Sequence, residues 1–315
     1  MKQTETFIGK IPLAAAGQIS YNLRPALESV FILPVRSTMM RAVRFWLVWL
    51  FLASSGCSYF QNLNNPDRFQ NGYTLVLPGI ETASFANSNI AQGLENGGVT
   101  SAIEVYDWTT GRLALALYHL RSFDRNKLEA QKLADKIVDY QDRYPGKPVY
   151  LIGHSGGGGL TLLTLEALPP GRSITAAILL APAVSPDYDL STALSRTEAG
   201  IWNYYSPMDS LFLIAGTTVA GTIDGKHTPA AGAFGFSPPE EVAPESRNLY
   251  ETKLHQIGYN LEMATHGNLG GHFGSTWHQF SEDYLAPILL NPFFPGTIGT
   301  KPGDPAGIAR ISTNL

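Results

Sequence analysis

The 315-residue chain is poor in several things, and each shortage excludes something. It has a single cysteine, Cys57. That rules out an internal disulfide framework and leaves no basis for a cysteine-built zinc site. Charged residues are only 15% against 44% hydrophobic, a balance too apolar for a disordered chain. No dense block of Lys and Arg occurs, and 22 basic against 26 acidic residues give a formal charge of −4. A phosphate-neutralising nucleic-acid surface is not expected from such a balance. Glycine (31) and proline (21) are plentiful but lack a three-residue period, which excludes a collagen-like rod. No apolar run reaches the ~20 residues of a membrane-spanning helix.

What is present near the N-terminus reads as an address. Arg41 and Arg44 precede nine apolar residues, Phe45–Ala53, and Ser54-Ser55-Gly56 lead directly into Cys57. Basic flank, short apolar core and small residues are the parts of an export signal. The segment resembles the lipobox of bacterial lipoproteins, with Ser54 standing where that pattern usually carries Leu. The resemblance implies lipidation of Cys57, membrane attachment through the lipid, and an exported, periplasmic or cell-surface location. Residues 1–38 precede the signal as a mis-assigned start or extension, with translation expected from Met39 or Met40. Removing residues 1–56 takes away six basic and two acidic side chains and leaves a charge of −8. The expected organisation is extension 1–38, signal peptide 39–56, tether 57–72, one domain over 73–294, and a mobile tail over 295–315.

Within the domain, six short apolar runs read as strands: 73–79, 100–108, 148–153, 173–183, 200–206 and 254–260. Apolar positions at Ala130, Leu133, Ala134 and Ile137 give an amphipathic helix over 126–144. Further helices are expected over 156–168, at Asp189–Leu194 and over 281–290. Apolar strands alternating with helices specify a parallel sheet covered on both faces. The Gly/Pro/Ala-rich stretch 216–246 is long enough for a lid or binding loop.

The sharpest chemical signal is Gly153-His154-Ser155-Gly156-Gly157, set between a strand and a helix. This G-x-S-x-G spacing suits a serine held in a strained turn, its hydroxyl projecting from the sheet edge. Gly153 and Gly157 flank it because side chains there would collide across the turn. The Gly156 N–H is aimed where an oxyanion would form, at the positive end of the following helix. A P-loop is excluded because no Lys ends the glycine run, and a dinucleotide fingerprint fails because Thr161 takes the last glycine place.

With LPGIE (77–81) after an early strand and GHSGGG (153–158), the chain resembles the α/β-hydrolase superfamily, in its esterase/lipase-like branch. The resemblance covers about residues 73–290. It implies a mostly parallel, roughly eight-stranded sheet with helices on both faces, and a Ser…Asp…His triad. By position it assigns the second oxyanion N–H to Ile80.

The base of that family lies between the last strand and the last helix. His272, after Gly270-Gly271, is favoured there, with His266 and His278 as alternatives. His119, His154 and His255 read as structural. A zinc site from His266, His272 and His278 matches no standard ligand spacing. For the acid, Asp209 follows the strand 200–206, while Asp187 and Asp189 follow the preceding strand. The bland readings of the last two are a turn and a helix cap, and Asp224 reads as an Asp-Gly turn. Tyr106, Trp108, Tyr204 and Tyr205 are candidates for an acyl pocket or for the core.

The leading functional expectation is a serine hydrolase acting on a small-molecule or lipid carboxylic ester. It needs no metal or organic cofactor. Acyltransferase, thioesterase and peptidase chemistry remain open on the same fold. From another class, a non-catalytic surface lipoprotein remains the alternative.

Overall fold

All six expected apolar runs pair edge to edge. In the computed structural model, which describes residues 63–209, 217–238 and 243–293, the strands are β1 (Tyr73–Leu77), β2 (Ala102–Val105), β3 (Val149–His154), β4 (Ala176–Leu180), β5 (Ile201–Tyr205) and β6 (Leu254–Gly258). They form one sheet in the order β2-β1-β3-β4-β5-β6, and every pair is parallel. The α/β class with its parallel sheet is as expected, but the described residues hold six strands, not about eight. The segment that precedes β1 forms a 3-10 helix, Pro66–Asn71, instead of further strands. Asn65 caps it, its side chain accepting from the Asp67 and Arg68 amides.

That segment is docked, although its polarity reads as a tether. Arg68 donates to the carbonyls of Ser101 and Val99 and pairs with Glu95 at 3.0 Å. Phe69 packs against the rings of Tyr73, Tyr140 and Tyr144. Cys57, the expected signal 39–56, the extension 1–38 and the tail 295–315 lie outside the described residues.

Two apolar layers sandwich the sheet because successive side chains of a strand point to opposite faces. Leu75, Leu77, Val149, Leu151, Ala177 and Leu179 face one layer, and Val76, Tyr150, Ile152, Ile178 and Leu180 face the other. We label the main helices α1 (Phe85–Asn96), α2 (Phe123–Arg143), α3 (Gly156–Ala167), α4 (Pro244–Lys253) and α5, the C-terminal helical run His278–Leu290. The first layer is covered by α2, through Ala130, Leu133, Ala134 and Ile137, and by α3. The second is covered by α1, through Ile90, Ala91 and Leu94, and by α5, through Phe280, Tyr284 and Leu285.

The stretch expected as a helix over 281–290 starts earlier and is irregular. It widens to a π turn over Ser281–Leu285 before resuming as α-helix over Ala286–Leu290. Pro287 has no N–H for the i−4 ladder, and a π turn just ahead of it absorbs the missing bond.

Because all six strands run the same way, their C-terminal ends share one edge of the sheet. That edge carries the loops after β1, β3, β5 and β6, which contain Ile80, Ser155, Asp209 and His272.

Candidate active site

The turn between β3 and α3 is strained at one residue. Ser155 has φ 53 and ψ −119, a backbone region that costs a non-glycine residue about 1–3 kcal/mol. The turn is held in place by the end of β4. The Ser155 amide donates to Leu180 O at 2.9 Å, and the Ala183 amide donates to Ser155 O at 3.0 Å.

The flanking glycines have separate steric reasons. A Cβ on Gly153 would stand 2.3 Å from Gly157 O, across the turn. One on Gly157 would stand 2.3 Å from Leu77 O, so that glycine is required by the end of β1 rather than by the turn itself.

Three residues far apart in the chain line up. His272 Nε2 lies 3.1 Å from Ser155 Oγ, and His272 Nδ1 lies 2.5 Å from Asp209 Oδ2. The carboxylate accepts from Nδ1–H, which leaves the Nε2 lone pair to accept from the serine hydroxyl. All three side chains are buried. Burial is the largest influence on His272 and lowers its pKa. The Asp209 hydrogen bond opposes this, the charge of His154 adds to it, and the net direction is below the ordinary value of 6.5.

The turn bearing Asp209 is joined to the loop bearing His272 by Ser206, whose hydroxyl donates to Gly270 O at 2.5 Å. Gly270 has φ +80, and a Cβ there would meet Met208 Sδ at 2.8 Å. Gly271 has open space around it.

The loop after β1 lies against the start of α3. A Cβ built on Gly156 would be 2.9 Å from Ile80 Cγ2 and 3.6 Å from the Ile80 amide nitrogen. Side chains hold this loop from two sides. Trp108 Nε1–H donates to Pro78 O at 2.6 Å. His119 Nε2 accepts from the Thr110 amide at 3.1 Å, so Nδ1 carries the proton and donates to Ile80 O at 3.3 Å.

The remaining candidates lie elsewhere. His266 pairs with Asp283 at 2.6 Å, on α5. His278 begins α5, and His255 stacks on Trp202. Asp187 forms an exposed ion pair with Lys226. Asp189 accepts from the Ser191 amide and from Tyr250 Oη. Asp224 accepts from the amide and hydroxyl of Ser185. Tyr204 is a core residue whose hydroxyl reaches Tyr284 O. Trp108 is also buried, beside the Ser155 turn. Among the described residues no three of His, Cys, Asp and Glu gather as a metal site. No described helix is long and apolar enough to cross a membrane.

Sequence reasoning passed over Glu81. Its carboxylate reaches Nδ1 of His154 at 3.3 Å, and His154 in turn reaches the His272 carbonyl at 3.0 Å. The signal was in plain view, as the acid that closes LPGIE immediately after a strand.

A parallel sheet with crossover helices and a strained serine between β3 and α3 define an α/β-hydrolase fold. Comparison with known proteins agrees: the family described as "Serine aminopeptidase, S33" matches residues 79–211. That stretch includes Ser155 and Asp209 and ends before His272. Human monoglyceride lipase is 27% identical over 136 residues, 43% of this chain and 37% of that protein. The chain thus matches little more than a third of the length of this curated relative.

Two solved structures are also similar. A dienelactone hydrolase-like promiscuous phosphotriesterase from metagenomic libraries is 13% identical, covering 63% of this chain and 77% of the other at a TM-score of 0.35. A putative hydrolase from Pectobacterium atrosepticum is 15% identical, covering 71% and 98% at a TM-score of 0.26. The sequence matches support a hydrolase.

Proposed function

We propose that this protein is a serine hydrolase that cleaves a carboxylic ester through an acyl-enzyme. The reading is carried by one observation, the line from Ser155 Oγ through His272 to Asp209 Oδ2. A serine hydroxyl is a poor nucleophile until a base takes its proton, and the base needs a carboxylate to hold its tautomer. In the proposed reaction, Ser155 Oγ bonds to the acyl carbon as His272 Nε2 takes its proton. The Gly156 and Ile80 amides stabilise the negative oxygen. The tetrahedral intermediate collapses, and His272 returns the proton to the departing alkoxide. Water then repeats the sequence on the acyl-enzyme and frees the acid.

Apolar side chains beside the site favour an acyl or lipid-like ester. Phe273 packs on the rings of His154 and His272 and is still 42% exposed. Met208 and Leu269, next to Asp209 and Gly270, are 60% and 69% exposed. The similarity to a protein named monoglyceride lipase supports the same class. A peptide substrate is the second reading, favoured by the description of the matched family. We place the enzyme outside the cytoplasm, anchored through a lipid on Cys57. This rests on the sequence pattern alone, and loss of membrane partition in Cys57→Ser tests it.

The central test is labelling with a fluorophosphonate probe, together with turnover of p-nitrophenyl esters and aminoacyl p-nitroanilides. Wild type should label and favour the esters. Ser155→Ala should abolish both signals, and Asp209→Asn should cost up to about 10⁴ in kcat. His266→Ala should retain most activity. Full activity in folded Ser155→Ala overturns the reading, and preference for the anilides selects the peptide substrate.

A further inference from the structure

Beneath the Ser155–His272–Asp209 line lies a second chain of hydrogen bonds. The Gly79 amide donates to Glu81 Oε1 at 3.3 Å. The same oxygen faces His154 Nδ1 at 3.3 Å, and His154 Nε2 faces the His272 carbonyl at 3.0 Å. His154 is fully buried, and its ring lies 4.9 Å from that of His272. The chain therefore runs from the loop that bears Ile80, through the residue preceding Ser155, to the backbone of His272.

We propose that Glu81, which is partly exposed, and the fully buried His154 are a proton-bearing pair that positions His272 by joining its backbone to the loop after β1. The proposal rests on His272 being the base of the hydrolase reaction above.

Donor counting carries the argument. The His272 carbonyl can only accept, so His154 Nε2 carries a proton. If that were its only proton, the Nδ1 lone pair would face a carboxylate oxygen, acceptor against acceptor. A second proton must lie between them. The Gly79 amide donates to the same Oε1 and favours its ionised form, so the proton belongs to His154 and the pair is imidazolium and carboxylate.

The energetic directions agree. Burial alone would raise the Glu81 carboxyl, but the hydrogen bond and charge of His154 outweigh it and hold it below its ordinary value. Burial alone would lower His154, but the hydrogen bond and charge of Glu81, with the His272 carbonyl, raise it. Among the described residues, charged and titratable groups that act on His272 include Glu81 from the loop after β1, His154 from the Ser155 turn, and Asp209 from the turn after β5. The positive charge on His154 opposes protonation of His272. Glu81 favours it more weakly, so His154 sets the net effect of the pair.

Glu81→Gln separates charge from shape. The amide keeps hydrogen-bonding capacity toward Gly79 and His154, but a fully buried His154 without a counter-ion gives up its charge. His272 then protonates more readily, and the acid limb of kcat/KM moves to higher pH. We expect a shift of about half to one unit, and hence roughly three- to tenfold lower kcat/KM at pH values well below the wild-type midpoint. His154→Leu should shift the limb in the same direction and also lower kcat on the plateau, because the His272 carbonyl loses its donor. A merely structural role would change stability and leave the limb in place. Wild-type acid limbs in both variants overturn the proposal.

Nitrogen-15 NMR of histidine-labelled wild type tests the pair without reference to catalysis. Both ring nitrogens of His154 should be protonated at pH 7.5, and a neutral His154 overturns the proposal. If wild type fails to label with the fluorophosphonate, the hydrolase reading falls, while the NMR result still decides the pair.

Discussion

His119 holds the carbonyl of Ile80, its Nδ1–H donating at 3.3 Å while Thr110 donates to its Nε2. His119 is fully buried and far from Ser155 in sequence, yet it fixes the residue whose amide borders Gly156. His119→Phe would leave Ile80 O and the Thr110 amide without this partner. Loss of a buried hydrogen bond costs about 1–3 kcal/mol, readable as a lower urea midpoint. Deleting an oxyanion donor outright costs about 10²–10³ in kcat, so misplacing one should cost roughly tenfold or more, with KM moving less. A wild-type kcat in folded His119→Phe would remove Ile80 from the reaction.

Under the proposed mechanism, the state of His272 sets the pH dependence of the wild type. A general base must be unprotonated in the free enzyme, and the acid limb of kcat/KM reports its pKa. Because the pKa of His272 is lowered from 6.5, the unprotonated form survives to lower pH. Activity on a neutral ester should therefore halve at a pH below 6.5. A midpoint above 6.5 in the wild-type profile would contradict the environment described for this imidazole.

The backbone of Ser155 predicts a stability difference that ignores chemistry. At φ 53 and ψ −119 an alanine is strained as the serine is, whereas glycine is not. Both Ser155→Ala and Ser155→Gly should be inactive. Ser155→Gly should melt at the higher temperature, the released strain of about 1–3 kcal/mol outweighing the roughly 0.5–1 kcal/mol entropic cost of glycine. Calorimetry showing Ser155→Ala as the more stable of the two would mean the turn stores no strain.

The centre of the sheet was legible because β3 and β4 are almost wholly apolar runs. VYLIG and AAILL bury both faces and leave no competing periodicity. The helix α1 was not legible. Its sequence, FANSNIAQGLEN, is rich in asparagine and carries Gly93 in the middle. Asn87 completes a capping box with Ser84. Gly93 is there because a Cβ would stand 2.1 Å from His278 O on α5. The first is a local cap that uses Asn where Glu or Gln is usual, and the second is a tertiary reason that no local propensity reveals.

In the site, Ser155 announced itself by its glycines, and the order of elements pointed to Asp209 and His272. Gly270 and Gly271 looked equivalent in sequence, yet only Gly270 has a positive φ and a tight neighbour. His154 and Glu81 were hidden because they pair with each other across 73 residues, and His154 with a backbone carbonyl 118 residues further along the chain, which no spacing pattern encodes.

The edge where the parallel strands end gathers residues from Gly79 to His272, contributed by the loops after four different strands. Nothing shorter than the whole sheet can assemble it. A nascent chain has no competent site until β6 has been added beyond β5 and His272 has followed it out of the ribosome. If the proposed activity is correct, catalysis begins only after nearly the whole domain has been made. A proteolytic fragment ending anywhere before residue 272 should be inert, however well its first five strands fold.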